Sequence, residues 1–127
     1  MKSHERQQAR HRGKMAETLA AVWLRLKFYR ILARGLAGRR GSGAGEVDIV
    51  ARRGKIVAFV EVKSRPSPTE AAESLGPAQR RRIERAASAF LARHPDLTGC
   101  DIRFDAILMA PGRLPRHIPD AWRPEAC

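Results

Sequence analysis

A chain of 127 residues with 43% apolar and 30% charged residues suits one soluble domain around one core. Its two cysteines, Cys100 and Cys127, make no disulfide framework and fit no zinc-ligand spacing, and apolar runs such as 19–24 and 56–60 are too short to span a bilayer. The cysteine usage points to a reducing, cytoplasmic setting. The net charge of +12 sits mainly in residues 1–44, which carry +9, largely as arginine; this points to nucleic acid as partner, with compositional bias as the bland account.

Residues 1–12 are polar and basic, unlike a signal peptide, and are expected to form a disordered basic arm. A single domain is expected over 13–123, with 124–127 as a tail. It opens with a helix over 13–28, whose Leu19, Val22, Trp23 and Leu26 recur at helical spacing and are expected to face the core. A strand over 29–34 follows, then a Gly- and Arg-rich loop over 35–45 that holds Arg39 and Arg40.

Residues 47–51 and 56–62 are rich in β-branched residues and flank Arg53-Gly54, which reads as a two-residue hairpin turn. That register places Asp48 opposite Phe59 and Glu46 opposite Glu61, with Asp48 and Glu61 as diagonal neighbours about 7–8 Å apart. Alternation then puts Asp48, Phe59, Glu61 and Lys63 on one face, and Val47, Ile49, Val60 and Val62 on the other, a face of buried hydrocarbon. A Pro-containing loop leads to a helix over 77–93 with core stripe Ile83, Ala86, Ala87, Phe90 and Leu91, and Gln79 one turn earlier points toward the sheet. Arg80, Arg81 and Arg82 lie mostly off that stripe. A last strand spans 102–110, and the proline-rich remainder from Pro111 is expected to be extended and irregular.

Carboxylates inside a sheet pattern are costly unless something pairs with them. Asp48 and Glu61 at ligand distance would bind Mg²⁺ or Mn²⁺, hard ions that prefer oxygen donors, with the Val62 backbone carbonyl as a further donor. Lys63 would neutralise charge or orient water, which outlines a phosphodiester-hydrolysing site. The competing readings are a structural ion-pair cluster for Asp48, Glu61 and Lys63, and a helix-capping role for Gln79. Arg80–82 read either as phosphate contacts or as a solvated face. Arg103 and Asp105, flanking Phe104 on one strand face, read as a structural salt bridge. No histidine takes part in a comparable constellation.

Residues 45–50 (Gly-Glu-Val-Asp-Ile-Val) and 59–65 (Phe-Val-Glu-Val-Lys-Ser-Arg) resemble the two signature blocks of the YraN family, small bacterial proteins within the PD-(D/E)XK nuclease superfamily that are similar to archaeal Holliday-junction resolvases. Gly13-Lys14-Met15-Ala16-Glu17, Ala86-Ala87, Arg103-Phe104-Asp105, His117-Ile118 and Ala121-Trp122 also match, so the likeness covers about residues 13–123. The resemblance implies a restriction-endonuclease-like α/β fold with an α-β-β-β-α-β core and a mixed sheet flanked by helices. It implies that Asp48 and Glu61 are metal ligands, Lys63 the catalytic lysine and Glu17 an added carboxylate near the metal. From the residues alone, Glu17 reads equally as a partner of Lys14 or Arg25. The family often has lysine where Gln79 stands, other branches use glutamine, and the 35–45 loop departs from the family pattern. The expectation is a Mg²⁺- or Mn²⁺-dependent nuclease acting on DNA, branched or repair intermediates included. Asp48, Glu61, Lys63, Glu17 and Gln79 form its site, and Arg39, Arg40, Arg65, Arg80, Arg81 and Arg82 contact nucleic acid. Alternatives are a non-catalytic nucleic-acid-binding protein that keeps the fold, or an assembly factor for an acidic protein. A homodimer stays open, since enzymes that cut symmetric junctions are usually dimers.

Overall fold

The computed structural model describes residues 2–36 and 47–124; Arg39, Arg40 and Glu46 lie outside them. The elements run α1 (Lys2–Leu26), β1 (Arg30–Leu36), β2 (Val47–Arg53), β3 (Ile56–Ser64), α2 (Pro68–Glu73), α3 (Pro77–Ala92), a 3₁₀ turn (Pro95–Leu97), β4 (Asp101–Met109) and β5 (Arg116–Trp122). The five strands form one sheet in sequence order. Only β3 and β4 are parallel, because the helical crossover between them returns the chain to the same end of the sheet. The result is an α/β fold with a mixed sheet flanked by helices, and α1-β1-β2-β3-α3-β4 is the order of a restriction-endonuclease-like core. The short α2 and the strand β5 are additions to it.

Both sheet faces are covered. Ala20, Ala21 and Leu24 of α1 pack on Ile49, Ala51, Ala58, Val60 and Ile107. Ile83, Ala86, Ala87 and Phe90 of α3 pack on Val57, Phe59 and Phe104 of the other face, with Phe59 and Phe90 edge to face. The core stripe expected on α3 is therefore found, with Leu91 partly buried. The acids lie at the margin of a second apolar layer rather than on an open face, which raises the cost of their charge.

Four expectations are corrected. First, helix α1 begins at Lys2, so the segment expected as a disordered arm continues the helix; it holds no proline, and its first glycine is Gly13. Second, α1 turns a different side inward. Ala16, Ala20, Ala21 and Leu24 are buried, while Leu19, Val22 and Leu26 are 53%, 44% and 68% exposed. Both stripes have helical period, and the small one lets the helix lie close to the sheet. Overpacking that contact is expected to cost about 1–3 kcal/mol for Ala21→Leu, against no more than about 0.5 kcal/mol for Leu19→Ser, measured by urea denaturation.

Third, the hairpin turn is Gly54-Lys55, with Gly54 at φ +62° and Arg53 paired to Ile56. Positive φ at the first turn residue alone is the type II′ requirement, which glycine meets without strain. Fourth, the tail contains β5. Between Phe104↔Trp122 and Ala106↔Ile118 the β5 side carries extra residues, and this bulge absorbs Pro119 and leaves Asp120 at φ +52°. A bulge on an edge strand is where proline is tolerated.

Helix α1 ends in a cap that separates two aromatic neighbours. Phe28 adopts φ +70°, its N–H reaches Arg25 O, and the Tyr29 N–H reaches Leu24 O, the two bonds of a Schellman cap. The cap turns the chain so that Phe28 is exposed and Tyr29 is buried beneath α1.

Candidate metal centre

Because the turn falls one residue later than expected, the register of β2 against β3 shifts by two. The last registered pair is Ile49 opposite Val60. Continued one step, that register would set Asp48 across from Glu61 rather than diagonal to it, but the ladder stops at Ile49 and Val60. A shift of two preserves side-chain parity, so the acids and Lys63 still share a face. At this step a side chain replaces the ladder: Asp48 Oδ2 accepts the Val62 N–H at 2.8 Å.

Glu61 is 4% exposed. Its Oε1 lies 3.3 Å from Lys63 Nζ and accepts from Gln79 Nε2 at 3.1 Å. Its Oε2 is buried and has no hydrogen-bond partner among the described residues. Burial pushes the Glu61 carboxyl up to about 8, the neighbouring Asp48 charge adds to this, and Lys63 only partly opposes it. The structure thus brings Asp48, Glu61, Lys63 and Gln79 together, and Gln79 reaches the sheet as its helical position predicts.

Glu17 is elsewhere engaged. Arg34 on β1 approaches Glu17 Oε1 at 3.4 Å and donates to Thr18 Oγ1 at 2.8 Å. Among the described residues no group of three or more His, Cys, Asp or Glu side chains converges. Of Val62, the N–H is the group seen at the site. Arg65 is exposed just beyond β3, and its N–H extends the parallel ladder to Met109 O at 3.1 Å. Arg81 and Arg82 are exposed on α3, whereas Arg80 is turned back onto Leu75 O and the Trp122 ring.

The opposite face of the sheet holds a second polar cluster. Asp105, fully buried, accepts from Arg103 Nε and a terminal nitrogen at 2.8 Å each, from His117 Nε2 at 2.7 Å and from the Asp120 N–H at 3.0 Å. Arg103 also reaches the Tyr29 hydroxyl, and Lys27 Nζ donates to His117 Nδ1. Burial alone would raise the Asp105 carboxyl, but the bonds from His117, Arg103 and the Asp120 amide outweigh it and hold it below the usual carboxylate range. The ion pair expected for Arg103 and Asp105 is present. His117 was not legible as its partner, because its role depends on β5 pairing with β4.

The profile of the uncharacterised protein family UPF0102, the YraN family, matches residues 16–109. The chain is 69% identical over 121 residues to a UPF0102 protein of Paramagnetospirillum magneticum, covering 95% of this chain and 94% of that one. The chain belongs to the UPF0102 family. Among further relatives, UPF0102 proteins of Parvibaculum lavamentivorans and Maricaulis maris are 53% and 47% identical, over 88% and 94% of this chain and 81% and 91% of theirs. The UPF0102 match spans β1 to β4 and so contains Asp48, Glu61, Lys63 and Gln79. No helix among the described residues is long and apolar enough to cross a membrane.

Proposed function

We propose that this UPF0102 protein is a divalent-metal-dependent nuclease that hydrolyses phosphodiester bonds, with DNA as the substrate class. The observation that carries the reading is Glu61: a buried carboxylate beside a second carboxylate, with one oxygen unpartnered and a lysine and a glutamine on the other. A cation between Asp48 and Glu61 would relieve their repulsion and satisfy that oxygen. Mg²⁺ needs no larger protein cage, since it is commonly held by one or two carboxylates plus water and substrate phosphate. Asp48 and Glu61 are the proposed ligands, with the Val62 carbonyl as a further donor.

When bound, the ion supplies positive charge to the phosphoryl oxygens and favours loss of a proton from water. The chain's own residues do the rest. Lys63 offers an ammonium to the negative charge that grows on the phosphoryl group during attack. Gln79 fixes Glu61 Oε1 by donating to it, which leaves Oε2 for the ion. Asp48 is oriented by the Val62 amide. The exposed Arg65, Arg81 and Arg82 supply sequence-independent attraction for the phosphate backbone.

A panel of duplex, single-stranded, flapped and four-way DNA, with RNA alongside, tests the reading in Mg²⁺, Mn²⁺ or chelator. Cleavage of at least one DNA in the divalent ion, and none in chelator, is expected. Salt-sensitive binding with no cleavage under any condition would instead mark a non-catalytic nucleic-acid-binding protein.

A further inference from the structure

We infer that the cavity beside the candidate centre receives one unstacked nucleotide of a single-stranded or branched nucleic acid, next to the phosphodiester presented to Asp48, Glu61 and Lys63. This rests on the nuclease reading and extends it to substrate form. The cavity measures about 390 Å³ and is lined by Leu108, Ala110, Arg113, Leu114 and Arg116. That volume lies in the range of small-ligand sites, about 300–1,000 Å³.

Its position ties it to the centre. Leu108 is registered beside Lys63 in the parallel ladder, and Arg116 is registered opposite Leu108 on β5. Registered neighbours project to the same face, so the cavity opens on the face that carries Glu61 and Lys63, one strand away. The exposed Arg65 leaves β3 at the same end.

Its lining has two chemistries. Leu108 and Ala110 make an apolar floor, and Leu114, 77% exposed, stands at the rim. Arg113 and Arg116 are exposed, and neither makes an ion pair or side-chain hydrogen bond among the described residues. Apolar surface flanked by two uncommitted guanidiniums suits a ligand with a flat body and a phosphate on either side. A nucleotide within a strand is such a ligand, and arginine can meet both the phosphate and the base face. A base in intact duplex is stacked and paired and cannot enter, so the occupant is an unpaired nucleotide.

The rim is also preorganised. Ala110-Pro111-Gly112-Arg113 is a tight turn, with Gly112 at φ +72° and the Arg113 N–H on Ala110 O at 3.2 Å, the pattern of a Pro-Gly type II turn. Pro115 stiffens the other side of Leu114. Little freedom is then lost when the segment meets a strand.

The experiment measures anisotropy of labelled single-stranded, flapped and duplex oligonucleotides, as DNA and as RNA, with Ca²⁺ replacing Mg²⁺. Wild type is compared with Arg113→Ala/Arg116→Ala and with Leu114→Ser, whose exposed positions leave folding intact as read by circular dichroism. The double variant is expected to weaken single-strand or flap binding about tenfold or more while changing duplex binding less than about threefold. Its salt slope on single strands should fall by about 0.7 per lost phosphate contact. Leu114→Ser should weaken single-strand binding at unchanged salt slope. Equal losses on duplex and single strand, or no loss on either, would overturn the inference. Parallel cleavage assays separate the two readings: a wild type that cleaves, with variants that bind normally, sinks only the cavity assignment. A wild type that never cleaves, with variants that selectively lose single-strand binding, sinks only the hydrolase reading.

Discussion

Asp48→Asn and Glu61→Gln are each expected to reduce DNA cleavage by about 10³-fold or more while DNA binding is kept. A catalytic metal supplies several kcal/mol of transition-state stabilisation, and each ~1.4 kcal/mol is tenfold in rate. The amides are chosen to isolate ligand charge from folding. Asparagine at 48 keeps an oxygen for the Val62 N–H, which alanine would leave without its acceptor at a cost of about 1–3 kcal/mol. Glutamine at 61 keeps an acceptor for Gln79 and removes a charge that burial already disfavours, so stability should hold or rise. Binding should hold, because neither change touches the arginines that meet phosphate, and Asp48→Asn also removes a negative charge. Lys63→Ala should lose about 10²–10³-fold in kcat, the scale of removing one preorganised charge partner. Single-turnover cleavage and anisotropy on the same substrate are the measurements. A wild-type rate in one amide variant would remove that residue from any metal role, and wild-type rates in both would end the metal reading.

The second large effect concerns folding. Asp105→Ala is expected to cost about 3–5 kcal/mol, the scale of stranding one side of a buried ion pair. For a domain stabilised by only about 5–15 kcal/mol, that takes a large share. The variant leaves Arg103, the nearly inaccessible His117 and the Asp120 amide of the β5 bulge without their common acceptor. Urea denaturation is the readout, and Asp105→Asn should recover part of the loss because it keeps an oxygen in place.

The same residue sets an acid limb. Its native carboxyl lies below the ordinary range, so on acidification the unfolded chain takes up this proton first. The stability it contributes is complete above pH ~4 and is lost as pH falls below that through the native value. In the Asp105→Asn variant this limb should flatten. Glu61 acts in the opposite sense: its native value of about 8 exceeds the unfolded 4.5, so without divalent ion it withdraws stability as pH rises between them. A stability profile in chelator should carry both limbs, each removed by its own substitution.

The arrangement of acids and lysine at the centre was largely legible in the chain. The alternation that puts Asp48, Glu61 and Lys63 on one face depends only on the pleat and on an even-length turn, so it survived a turn placed one residue too early. The position of Gln79 followed from a helix with one apolar stripe, Ile83, Ala86, Ala87 and Phe90, which left no choice of face. Helix α1 offered two stripes of the same period, and periodicity could not choose between them.

What the amino-acid order determined by itself was local: which segments of the core become strands or helices, and which side chains share a side of each. What tertiary structure decided was everything that depends on the surface opposite. The sheet selected the alanine side of α1 because small residues permit close approach. Pairing with β4 turned a proline-bearing tail into β5 and carried His117 to Asp105. Arg34 drew Glu17 to β1, and the β4–β5 connection brought Arg113 and Arg116 to the cavity at Leu108, the residue registered beside Lys63. The reason is common to all of these: a periodicity or a charge is carried by a short stretch of chain, whereas burial and pairing energies exist only between stretches, and their sign depends on what the fold brings across.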